Sequence, residues 1–129
     1  MNIKEQFGLA KLARENAHEP YCNYNVGAAL KTKNGKIYTG CNVSNYGIQS
    51  ICAERVAFVK AISEGEREFE SIVVVGGHKN GNLEECLPCG YCRQFMNEFV
   101  QDNFKVYTEN GDKVNEYTLD DLLPNRFKL

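Results

Sequence analysis

Residues 71–76 read Ser71-Ile72-Val73-Val74-Val75-Gly76. A continuous apolar run of this length is too short for a buried helix and suits a strand covered on both faces. A strand of that kind needs a layer of structure on each side of its sheet. On the N-terminal side, Ile3, Phe7, Ala10, Leu12 and Ala17 fit an amphipathic helix over residues 3–17. Asn2 with Glu5 three residues later reads as a capping box, and Pro20 ends the element. Residues 25–32 are strand-like, Asn34-Gly35 is a hairpin turn signal, and residues 36–42 return as a second strand. A polar loop over 43–51 leads to a helix from Cys52 to a glycine cap near Gly65. On the C-terminal side, 77–87 reads as a loop, and Pro88 and Cys89 open a helix through about Val100. Residues 104–108 form a strand, Asn110-Gly111 a turn and 113–117 a fifth strand. Thr118 caps a last short helix before Pro124. The order α-β-β-α-β-α-β-β-α predicts an α/β fold. It is a three-layer α/β/α sandwich around a mixed sheet of about five strands, one domain over residues 1–129.

A chain of 129 residues can build a core, but a thin one, so association of copies is a natural way to bury more surface. With 43% hydrophobic and 25% charged residues it has the makeup of a globular protein. Its net charge of -2 offers no footprint for nucleic acid, which would select a basic patch. No apolar run approaches the roughly 20 residues that span a bilayer. The opening residues lack a signal-peptide core, so the expectation is a cytoplasmic protein without a membrane partner. In that setting six cysteines point to thiols or metal ligands rather than disulfides.

Four of those cysteines fall close to predicted helix starts. Cys89 and Cys92 are three apart, so both sulfurs can reach one ion, and Cys52 opens another helix. The partial positive charge of a helix N-terminus favours thiolate, and three thiolates on a zinc leave its fourth position open, the mark of a catalytic site. A closed structural site remains an alternative, because Cys86-Leu87-Pro88-Cys89 is also C-x-x-C and Cys86 could be a fourth ligand. A redox pair has less support, with no thioredoxin-like strand placed before the motif. Glu54 lies about 200° around the helix from Cys52, off the ligand face, where it can lean over an open position and move protons. By itself, a glutamate in a first turn is usually a dipole-stabilising surface residue. Arg55 is placed to donate to the thiolates and offset their charge, although its ordinary role would be a solvated helix arginine.

Cys52-Ala53-Glu54-Arg55 and Pro88-Cys89-Gly90-Tyr91-Cys92-Arg93-Gln94 resemble the two zinc motifs of the cytidine deaminase family. Val26-Gly27-Ala28-Ala29-Leu30, Gly40-Cys41-Asn42-Val43 and Leu122-Leu123-Pro124 with Phe127 resemble its first core strand, nucleoside-binding strand end and C-terminal tail. The resemblance implies one Zn²⁺ per chain on Cys52, Cys89 and Cys92, with Arg55 and Gln94 behind the ligands. It implies that Glu54 deprotonates the attacking water, then protonates ring N3 and the leaving amine. Tyr24 would pack on the base, Asn42 would bind the ribose 3′-hydroxyl, and the Ala53 N–H would hold the base carbonyl. Phe127 would close a neighbouring subunit's site in a homotetramer, and Cys86 would be a bystander just outside the site. The implied reaction takes cytidine and deoxycytidine to uridine and deoxyuridine plus ammonia, a step of pyrimidine salvage.

One region departs from the family. Ser44 stands where a ribose-binding glutamate is expected, and the loop from Asn42 to Cys52 is one residue short. This predicts a roomier, less acidic sugar end and leaves sugar specificity open. Blasticidin S deaminases, whose substrate carries a carboxylate on its sugar, are an alternative reading, although residues 42–51 contain no Lys or Arg to attract that carboxylate. A non-catalytic zinc module and a polynucleotide-editing deaminase are further alternatives, the last disfavoured by charge.

Overall fold

The strand over 71–76 is the middle of the molecule. In a computed structural model, which describes residues 2–46 and 49–129, it extends to Phe69–His78 (β3), and every residue from Ser71 to Gly77 is buried. It pairs along its length with β1 (Tyr24–Thr32), antiparallel, with Tyr24 opposite His78 and Leu30 opposite Ile72. This pairing adds the residues at each end that apolarity alone did not mark. β1 also pairs antiparallel with β2 (Ile37–Cys41) through a four-residue connection, in which Gly35 takes φ +90 and its N–H bonds Thr32 O. β3 pairs in parallel with β4 (Lys105–Asn110), and β4 antiparallel with β5 (Lys113–Thr118). The result is a mixed five-stranded sheet in the order β2-β1-β3-β4-β5.

Alternation along the strands builds two cores. Ala29, Val73 and Val75 face α1 (Ile3–Arg14) and pack on Phe7 and Ala10. Ala28, Leu30, Ile72 and Val74 face the other way, onto α2 (Ala53–Ser63) and α3 (Gly90–Asn97), around Phe58, Phe104 and Met96. The short α4 (Leu119–Leu122) adds Leu122 to this side and is capped by Thr118 and Asp121 in a reciprocal box. The three layers expected from the run at 71–76 are therefore present. No helix among the described residues is long and apolar enough to cross a membrane.

Two helices stop short of their expected ends. α1 closes at Arg14 rather than residue 17, because the Arg14 guanidinium turns into the sheet edge and donates to Asn25 O and Gly77 O, both at 2.8 Å. The chain can then turn so that His18 pairs with Val43. α3 ends at Asn97 and finishes in tight turns, with Phe99 N–H bonding Met96 O. The Asn2 cap forms, accepting from Glu5 N–H at 2.9 Å, but the Glu5 carboxylate answers to the Asn2 side-chain amide and not to its backbone.

β1 runs against both β2 and β3, so its start lies at the same sheet edge as their ends. α2 leaves from that edge and lies tightly on β2. A methyl on Gly40 would sit 2.5 Å from Ala53 O and 2.7 Å from Ala57 N. Gly40→Ala should therefore push the start of α2 outward and cost about 1–3 kcal/mol by overpacking, a fall in Tm of roughly 5–10 °C. Gly8→Ala in α1, with open space around its Cβ, should instead raise stability by about 0.5–1 kcal/mol. Circular dichroism melts of both variants check the pair. An unchanged Tm in Gly40→Ala would mean that α2 is free to shift.

Candidate active site and metal centre

Cys52 and Cys89 are not in the helices that follow them. Both are N-caps, with extended backbone, and neither side chain caps its own helix. Freed from that role, the two thiols point toward each other with their sulfurs 3.7 Å apart. Cys92, in the first turn of α3 and buried, completes the set, and the three sulfurs lie within 4.8 Å of one another. Sulfurs about 2.3 Å from a tetrahedral zinc stand about 3.8 Å apart, so the cluster has the dimensions of three zinc ligands. Its electrostatics agree. The Cys52 thiol is held well below the ordinary range, first by its hydrogen bond with Cys92 and then by Arg55, while the same pairing and burial push Cys92 far upward. Three thiolates coexist at this spacing around a cation.

Glu54 follows one residue into α2 and is 3% exposed. Because Cys52 caps the helix instead of joining it, the angular offset expected between the two does not govern their placement. Burial, reinforced by the nearby Cys52 charge, raises the Glu54 carboxyl to about 7, and Oε1 has no hydrogen-bond partner among the described residues. An unpaired buried carboxylate oxygen beside three thiols is a group placed for a ligand. Arg55 Nη2 reaches Cys52 Sγ at 3.7 Å and Ser50 O at 3.4 Å, and its guanidinium carbon lies 4.0 Å from the centre of the Tyr91 ring.

Two neighbouring hollows lie beside the cluster, and Asn42 and Cys52 line both. The inner, of 180 Å³, is walled by Val26, Asn42, Ala53, Glu54, Cys86 and Leu87, with Cys52 and Cys89 at its floor. Ala53 opens α2, where the first helical bond is Val56 N–H to Cys52 O, so its own N–H has no acceptor within the helix. The outer hollow, of 610 Å³, shares Asn42 and Cys52 with the inner one and reaches Glu19 and Ser44.

The remaining expected residues fall in several places. The Asn42 side chain splices two strands, accepting from Val26 N–H at 2.9 Å and donating to Tyr24 O at 2.8 Å. The Tyr24 ring meets His78 edge-on, and burial, with Cys86 and Glu84 nearby, pushes its hydroxyl pKa upward. Ser44 is 7% exposed and donates to Glu19 Oε2. The Gln94 amide donates to Phe127 O at 3.0 Å, and the Phe127 ring is mostly exposed. Cys86 lies outside the three-sulfur group, yet it walls the inner hollow, where burial raises its thiol to about 12. Of the short loop, Gly47 and Ile48 lie outside the described residues. Sequence reasoning missed Glu19. No motif marks it, and it reaches Ser44 only because His18 pairs with Val43.

Residues 1–108 match the model for the cytidine and deoxycytidylate deaminase zinc-binding region. The chain belongs to the cytidine deaminase family. A cytidine deaminase of Sporosarcina psychrophila is 41% identical over 98% of the chain and 92% of its own length. The crystal structure of a cytidine deaminase from Burkholderia pseudomallei, also 41% identical, superposes with a TM-score of 0.87 over 98% of this chain and all of that one. A blasticidin-S deaminase of Bacillus cereus is 31% identical over 98% of the chain and 95% of its length. The family is a zinc family, and the three-thiol cluster with its orphaned carboxylate fits that metal.

Metal analysis should find about one zinc per chain. Cys52→Ala, Cys89→Ala and Cys92→Ala should each lose it, whereas Cys86→Ala should keep it. Loss of zinc in Cys86→Ala would make the cluster a closed four-cysteine site.

Proposed function

We propose that the protein deaminates cytidine and deoxycytidine to uridine and deoxyuridine, releasing ammonia, with zinc on Cys52, Cys89 and Cys92 and Glu54 as the proton carrier. The observation that carries this reading is the buried, unpartnered Glu54 oxygen in a small hollow floored by Cys52 and Cys89. Zinc bound there supplies a Lewis acid that makes water nucleophilic near neutral pH. Glu54 would take one proton from the attacking water and deliver it to ring N3, then carry the second proton, from the hydroxyl added at C4, to the departing amine nitrogen. Arg55 draws charge from Cys52. The Ala53 N–H holds the base carbonyl, the Tyr24 ring packs toward the base, and Asn42 sits where base and sugar meet. Residues 1–129 act as one domain, four copies assemble, and Phe127 of one closes the site of another. The activity belongs to cytoplasmic pyrimidine salvage.

Similarity to a blasticidin-S deaminase supports a second reading within the same chemistry. The outer hollow argues against it. Its described lining contains no Lys, Arg or His and includes the Glu19 carboxylate, which repels an anionic sugar. The same absence of a cation disfavours phosphorylated substrates and polynucleotides.

Glu54→Gln should keep zinc and fold but lose at least about 10²-fold in turnover, since one general acid–base contact is worth roughly 10²–10⁴ in rate. The fall in cytidine absorbance measures it, with blasticidin S in parallel. Near-normal turnover by the variant would remove Glu54 from the mechanism, and faster turnover of blasticidin S would reverse the substrate order. Light scattering should give the mass of four chains, and a fully active monomer would end the shared-site reading.

A further inference from the structure

The sequence predicts a sugar end without its acid. The structure returns one from elsewhere in the chain. Glu19, in the turn after α1, sits beside Ser44 on the wall of the outer hollow. Its carboxylate is held in place. Oε1 accepts from Tyr21 N–H at 3.1 Å and Cys22 N–H at 3.3 Å, and Oε2 accepts from the Ser44 hydroxyl. Ser44 has thereby spent its only proton and offers lone pairs alone. The Asn42 side chain is fixed on the backbone of β1 through one accepted and one donated bond, which leaves its amide one further N–H. The wall made by these three side chains therefore presents a negative charge and several acceptors beside one amide N–H, and a ligand part that settles there can bring donors and must carry no anion. The hydroxyls of a neutral sugar meet both conditions.

Resting on the deaminase reading above, we infer that Glu19 is a specificity-determining residue. Its Oε2, fixed by Ser44, is the charged acceptor for the ribose hydroxyls, and Ser44 is its positioning partner. The inner hollow takes the base, and the outer one takes the sugar, with Asn42 and Cys52 lining both. The earlier expectation of a less acidic sugar end is thereby replaced: the acid at position 44 is absent, but the charge is retained across the loop.

The test compares cytidine with 2′,3′-dideoxycytidine, which lacks both acceptor-seeking hydroxyls. Glutamine at 19 can still accept from Tyr21, Cys22 and Ser44, so Glu19→Gln should keep its zinc content and Tm. Exchanging a charged acceptor for a neutral one should lower kcat/KM for cytidine about three- to tenfold, chiefly through KM. The value for the dideoxynucleoside should move less than twofold. Glu19→Ala should lose the preference further, and Ser44→Glu added to Glu19→Ala should restore it. An unchanged cytidine preference in both Glu19→Gln and Glu19→Ala, with turnover intact, would overturn the role of Glu19 and leave the deaminase reading standing. A wild-type protein that deaminates neither nucleoside would overturn the deaminase reading and this one with it.

Discussion

Three sulfurs within 4.8 Å of one another cannot all be ionised without positive charge supplied from several sides, and the rest of the architecture follows from that requirement. The cation is one source. Two helix N-termini are another, since α2 and α3 begin directly after Cys52 and Cys89 and direct their free N–H groups toward the cluster. Arg55, stacked on Tyr91, is a third. Two helices can start at one point only if the strands feeding them end at one edge, and the antiparallel placement of β1 between β2 and β3 provides it. The close fit of Gly40 under α2 sets the helix low enough for Cys52 to face Cys89.

Around this centre the polar chemistry is divided. The inner hollow mixes apolar walls with one carboxyl group, whose proton affinity burial has raised. The outer hollow carries acceptors whose positions are fixed by the backbone of two neighbouring segments. Charge is thus graded from a cation-demanding floor to an anion-repelling rim, and a neutral nucleoside is the ligand that both ends admit.

Much of this was legible in the sequence. The strand at 71–76 announced three layers because a run apolar at every position cannot leave a face in water. The cysteines announced a metal because their spacing coincides with helix starts. What was illegible was tertiary. Whether Cys52 caps or joins its helix depends on one residue's backbone, so the face Glu54 presents could not be derived from angular spacing. Arg14 ends α1 by reaching carbonyls 11 and 63 residues away. Glu19 meets Ser44 across 25 residues, through a bridge that no local pattern encodes. Gln94 sits inside the motif, yet its amide turns to the tail.

That tail has a further bearing on the protein. Arg93 lies between the ligand Cys92 and the chain end, donating from Nε to Pro88 O at 2.7 Å and from Nη1 to Leu122 O at 2.6 Å. Gln94 and Asn97 both grip Phe127 O. The short helix that carries Cys92 is thus strapped at both ends by groups from outside it. A protease that nicks the chain after Pro124 removes one strap without touching a ligand, and trimmed material should surrender its metal to a chelator sooner than intact material. For handling the protein, an affinity tag belongs at the other end.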